Sequence, residues 1–151
     1  MKRMILLLCV AFIQTSHAQQ FRLTVASSIA GNTPGLKDSL FVVRADECPA
    51  PAKATITAAG EGLVAGVRRS VPINLIALSQ PDAYAVSRRG MTEGTWVVAL
   101  TAMCKEMTAG AIVPIGPQGF TRETSRFFPR PATPAEINEA LRLLTANGGT
   151  K

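Results

Sequence analysis

Apolar side chains recur at every second position in short runs, and turn-forming residues separate the runs. "FRLTVA" (21–26) alternates Phe21, Leu23 and Val25 with Arg22, Thr24 and Ala26. A period of two puts each set on one face of an extended chain, so the run reads as a half-buried strand. "SLFVVRAD" (39–46) reads as a second strand. The stretch between them, "SSIAGNTPG" (27–35), is a loop by its Ser, Gly, Asn and Pro content. "DECPAP" (46–51) ends the second strand, because a proline has no ladder N–H to give.

The pattern continues as paired arms. "KATITAAGEGLVAGVRRSVPINLIAL" (53–78) predicts a hairpin that turns at Ala65-Gly66. That register sets Ile56 against Leu75, Ala58 against Ile73 and Thr57 against Asn74, apolar to apolar and polar to polar. Gly60 and Gly62 suggest a bulge or bend in the first arm. Pro72 suggests that the second arm is an edge strand or is bulged. "DAYAVSR" (82–88) and "GTWVVALTAMC" (94–104) read as a further hairpin joined by "RGMTE". In it Tyr84 and Val86 share one face, as do Trp96, Val98, Leu100, Ala102 and Cys104. "GAIVPIG" (110–116) returns as a seventh strand after "KEMTA". About seven short strands with turns between them predict an all-β, immunoglobulin-like sandwich.

The C-terminal stretch differs. "PQGFTRETSRFFPRP" reads as an irregular arm, and a helix follows. Thr133 suits the N-cap, Pro134 the first helical position, and Glu136 completes a capping box. Ile137, Ala140, Leu141 and Leu144 form one apolar stripe, and Asn147-Gly148 stops the helix. The expected organisation is a sandwich over 19–118, with an arm and helix (119–151) packed on it.

The N-terminus carries Lys2 and Arg3, an apolar run from Met4 to Ile13, and Ser16-His17-Ala18. That is the layout of a secretory signal peptide over residues 1–18, cleaved near Ala18. The run is half the length that a membrane span needs, so no transmembrane segment is expected in the mature chain. Cys9 follows Leu8 inside the apolar run and does not read as a lipoprotein cysteine. Removing 18 of 151 residues leaves 133. With Lys2 and Arg3 gone the formal charge falls from +6 to +4, and the single His goes too. The location is then the periplasm or the cell exterior.

Cleavage leaves two of the three cysteines, Cys48 and Cys104. An even count in an exported chain predicts a disulfide between them. In strand parity, however, Cys48 alternates with Val42 and Arg44 and not with Phe41 and Val43. The bridge therefore needs a bend near Asp46-Glu47, or a Cys48 already in the loop. The alternative is a soft copper site built from Met91, Met103, Cys104 and Met107. Against it, Met103 and Cys104 are strand neighbours and point to opposite faces.

Catalytic patterns are thin. Without His, a nucleophile would need Lys, Asp or Glu as its base. No Gly-rich phosphate loop, G-x-S-x-G or S-x-x-K occurs. Asp46-Glu47 reads as a solvated strand end. The expectation is a non-enzyme without a cofactor, a binding or scaffold module of the periplasm or cell exterior, with a periplasmic metal (copper) or cofactor-assembly chaperone as the alternative.

The arginines and the phenylalanines of the arm are the candidate partner-binding residues. Arg68, Arg69, Arg88 and Arg89 lie at the loop ends of the hairpins. Arg122, Arg126 and Arg130 punctuate the arm beside Phe127 and Phe128. Arg and aromatic residues are favoured at interfaces, and the partner class is another extracytoplasmic protein or an anionic surface. The competing reading makes the phenylalanines a cover for the open end of the sandwich, with wet arginines around them. Export argues against nucleic acid.

"DAYAV" (82–86) followed by "GTWVVAL" (94–100) gives Y-x-V … G-x-W-x-V. This resembles the closing hairpin of bacterial extracytoplasmic immunoglobulin-like and fibronectin-III-like domains, among them YtkA-like and FixH-like domains. The likeness covers residues 21–115. It departs from antibody-type domains, because Trp96 and Cys104 share one strand and Ala102 stands where a corner tyrosine would be. The resemblance implies a sandwich, and its YtkA-like and FixH-like members are linked with copper handling or oxidase assembly. It assigns no functional residue here.

Overall fold

Each alternating run forms a strand, and the strands divide between two antiparallel sheets. The computed structural model describes residues 20–27, 36–50, 52–91, 93–116 and 119–148. The expected signal peptide and most of the 27–35 loop lie outside the described residues. One sheet holds β1 (Arg22–Ser27), β2 (Ser39–Asp46), β6 (Ala83–Ser87) and β5 (Leu75–Ala77), in that order. The other runs β10 (Arg126–Phe128), β8 (Met107–Gly116), β7 (Thr95–Cys104), β3 (Thr55–Val64) and β4 (Val67–Pro72), with β9 (Gly119–Phe120) paired to β8. The orders β1-β2-β6-β5 and β8-β7-β3-β4 correspond to the A-B-E-D and G-F-C-C′ sheets of the immunoglobulin-type sandwich.

Ten strands form among the described residues, rather than seven. The arm supplies β9 and β10 by pairing with β8, and the second arm of the 53–78 stretch splits into β4 and β5. The expected register holds from Val64–Val67 to Ala59–Pro72, and the Ile73 N–H still donates to the Ala58 carbonyl at 3.0 Å. Beyond Ile73 the chain crosses to the other sheet. Ile56 therefore pairs with Ala102, Thr57 with Thr101, and Leu75 with Val86. The Ile56–Leu75 and Thr57–Asn74 pairs do not form. Apolar matching could not detect the crossing, because both residues still face the same inter-sheet core.

The expected 82–104 hairpin does not form either. β6 pairs with β2 and β5, whereas β7 pairs with β3 and β8, so residues 88–94 also cross between sheets. Face assignments survive this change, since burial depends on parity and not on which strand is adjacent. Tyr84 and Val86 face the core, as do Val98, Leu100, Ala102 and Cys104. The real hairpin joins β7 to β8 through Lys105-Glu106, three residues shorter at its far side than "KEMTA" suggests. No bulge occurs at Gly60 and Gly62, whose pairing with Val98 and Trp96 is unbroken.

The inner core holds Phe21, Leu23, Phe41, Val43, Val98, Leu100 and Val113, and Phe120 closes one side against Phe41 at 5.2 Å between ring centroids. Phe120 thus covers this side of the core. A second core lies outside the β7–β8 pair. There Val97 and Ile112 meet Ala140 and Leu141 of α1 (Pro134–Gly148), with Ile137 and Leu144 at the margin. The helix starts as its sequence dictates. The Thr133 N–H donates to Glu136 Oε2 at 2.8 Å, and the Glu136 N–H donates to Thr133 Oγ1 at 3.3 Å.

Candidate functional site

The cysteines come first, because they decide what chemistry is left. Cys48 and Cys104 are bridged, with sulfurs 2.03 Å apart and Cα atoms 5.8 Å apart. The parity conflict is resolved at Glu47, which sits at φ 66. This left-handed residue turns the chain by one extra step and brings Cys48 inward. The bridge staples the end of β2 in one sheet to the end of β7 in the other.

The copper alternative does not assemble. Cys104 is in the bridge, and Met103 points outward with 53% of its surface exposed. Met107 pairs with Cys104 at one end of β7. Met91 lies near Gly60, which pairs with Val98 six residues away, roughly 20 Å along the strand. Among the described residues no group of three or more His, Cys, Asp or Glu is placed to hold a metal ion.

The arm residues sit at the β10 edge. Arg126 and Arg130 both stack on the Phe128 ring, 5.5 and 5.3 Å from its centroid. Arg130 also donates to both Glu136 oxygens, at 2.9 and 2.8 Å. The Glu136 carboxyl falls to about 2, first because of that hydrogen bond and next because of the Thr133 N–H. Phe128 packs into the helix-side core, and Phe127 is 45% exposed. This Arg–Phe–Arg stack straps the arm to α1. Arg122 lies apart, in a one-turn 3-10 segment beside Thr24, Val42 and Arg44.

The other two arginine pairs are twenty residues apart in sequence, and the loop of one packs against the strand of the other. Arg68 and Arg69 lie on β4, at the opposite edge of the sheet from β10. Four strand spacings of about 4.8 Å separate those edges, roughly 19 Å. Arg68 faces α1, where it donates to Glu61 at 2.9 Å and to Asn138. Arg69 faces the other way, level with Gly62 and Trp96 on one rung. Val71, on the same face as Arg69, meets the loop that carries Arg88 and Arg89, its side chain 3.8 Å from where a Gly90 Cβ would lie.

That loop is a built turn. The Arg88 N–H donates to the Asp38 carbonyl at 2.8 Å, the Met91 N–H to the Arg88 carbonyl at 3.1 Å, and the Arg89 N–H to buried Ser87 Oγ at 3.2 Å. Gly90 takes φ 89, which suits glycine at this place. Beside the turn opens a cleft of about 410 Å³. Leu40, Met91, Trp96, Ile115 and Leu144 give it apolar walls, with Arg88 and Glu93 at the rim. Arg69, Arg88 and Arg89 make no ion pair or side-chain hydrogen bond among the described residues. Chemically, the corner offers an apolar seat lined by the Arg88 side chain, with Arg89 on the same turn and Arg69 on the face of β4 that the turn packs against.

No family model, curated protein or solved structure matches this chain. Among the described residues, no helix is long and apolar enough to cross a membrane. Sequence reasoning named both arginine pairs but missed the cleft beside them. The cleft is made by the crossing of residues 88–94 between sheets, and alternation carries no signal for that.

Proposed function

We propose that the chain is exported and acts outside the cytoplasm as a non-catalytic binding module for an anionic partner. The corner formed by Arg69, Arg88, Arg89 and the Trp96 cleft is its binding surface. One observation supports this best: the Arg88-Arg89 turn packs against the face of β4 that carries Arg69 and stands beside an apolar cleft lined by Arg88, and Arg69, Arg88 and Arg89 make no ion pair among the described residues. A guanidinium with a free fork binds carboxylates bidentately, and an adjacent apolar seat adds contact area. The immunoglobulin-type sandwich suits such a role, since its loops sit on a rigid frame, but fold alone does not assign it. The stapled cysteines agree with an oxidising compartment.

The test uses a fluorescein-labelled, glutamate-rich peptide and the purified chain lacking residues 1–18. Anisotropy is expected to report binding that weakens with added salt. It should fall at least about tenfold when Arg69, Arg88 and Arg89 are all replaced by Ala. Unchanged affinity in the triple variant, or no binding by the parent protein, would overturn the reading.

A further inference from the structure

We infer that the anionic partner is an extended protein segment that adds to the sheet as a strand beside β4, with acidic and apolar residues in alternation. The inference rests on the anion-binding reading of the corner and names the partner's form.

β4 has a partner on one side only: β3 pairs with it, and no other described strand does. The Ile73 N–H reaches β3, so in antiparallel alternation Val71, Arg69 and Val67 turn their backbone groups the same way. The N–H and C=O groups of Arg68 and Ser70 then point outward to the open edge. Pro72 ends the series because it has no N–H to offer. The edge is thus a short ladder with two complete rungs, matched to a partner strand of about six residues.

The two faces beside this edge differ, and the difference specifies the partner. On the α1 side a groove of about 540 Å³ runs past Arg68, with Leu63 and buried Leu141 in its floor. The cations at its rim are already engaged, Arg68 with Glu61 and Arg142 with Glu139. On the other side stand Arg69 and the Arg88-Arg89 turn, whose side chains make no ion pair among the described residues. A strand laid along β4 sends alternate side chains to these two faces. Apolar residues would enter the α1 groove, and acidic residues would meet Arg69 and the turn. A second copy of the chain does not satisfy this, because β4 carries two arginines and no acidic residue to set against them.

The experiment compares three octapeptides on the full mature chain: alternating Glu and Val, alternating Lys and Val, and the Glu/Val peptide N-methylated at alternate residues. The Glu/Val peptide is expected to bind at least about tenfold more tightly than either of the others. It should also slow amide exchange at Arg68 and Ser70. Equal binding of the N-methylated peptide, or binding without slowed exchange at those amides, overturns strand addition and leaves the anion-binding reading standing. Equal binding of the Glu and Lys peptides, or no binding of the Glu/Val peptide, overturns both.

Discussion

The indole of Trp96 occupies the space that a side chain on Gly62 would need. A Cβ placed there would lie 2.5 Å from ring atoms Cδ2 and Cε3. Gly62 is therefore a packing residue, and the apparent bend signal in the sequence is the footprint of a tryptophan on the neighbouring strand. The indole, 4% exposed, forms the floor of the cleft beside Arg88.

Gly62→Ala is accordingly expected to cost about 1–3 kcal/mol through overpacking and to shift the Trp96 emission. Gly116→Ala makes the control. Its added Cβ meets nothing nearer than 3.6 Å, so its effect should stay within about 0.5 kcal/mol. Urea unfolding followed by Trp fluorescence measures both.

The Cys48–Cys104 bridge closes a loop of 56 positions between the two sheets. Loop-closure entropy gives such a bridge about 4 kcal/mol. Replacing both cysteines by Ser should lower the denaturant midpoint by a corresponding amount. Thiol titration of the unfolded, unreduced chain lacking residues 1–18 should find no free thiol.

The β3–β4 turn carries Ala65 at φ 49 and Gly66 at φ 77, the positive pair of a type I′ hairpin. Alanine is strained there, and Asn is the residue this turn favours. Ala65→Asn is expected to stabilise the protein by about 0.5–1 kcal/mol, read as a higher melting temperature. It should also leave peptide binding at β4 intact.

Acid should loosen the helix-side core. Hydrogen bonds from Arg130 and then from the Thr133 N–H hold Glu136 near 2, below its ordinary 4.5. A carboxyl lowered in the folded state adds stability above its unfolded value and loses that contribution as pH falls toward the folded one. The loss is thus expected between about 4.5 and about 2. Glu136→Gln should show a smaller drop in melting temperature across that window, measured by circular dichroism. Glu139, lowered by Arg142, retains a shift of the same sign.

How much of this was legible in the sequence depends on how local the cause is. Alternation predicted which residues of β7 face inward, because parity is a property of one strand. The capping box at Thr133 and Glu136 was legible for the same reason: both partners lie within one turn. The cysteine pair was legible from the even count that an expected signal peptide leaves, and the bend it required appears at Glu47. Neighbouring strands were harder. Ile56 was matched with Leu75 and found beside Ala102, since any inward apolar residue satisfies the pattern equally well.

The sequence by itself determined the class of fold, the buried faces, the staple and the helix. Those follow from side-chain periodicity, turn chemistry and cysteine count, all readable along the chain. Only the tertiary structure decided where the chain changes sheets: between β2 and β3, at Ile73–Asn74, and between β6 and β7. The last two crossings leave β4 as an edge and set the Arg88-Arg89 turn against Val71 of β4, while Arg126 and Arg130 are drawn to Phe128, and Arg130 also to Glu136, on the far edge. A crossing costs nothing in alternation and leaves every residue on its proper face, so no local pattern records it.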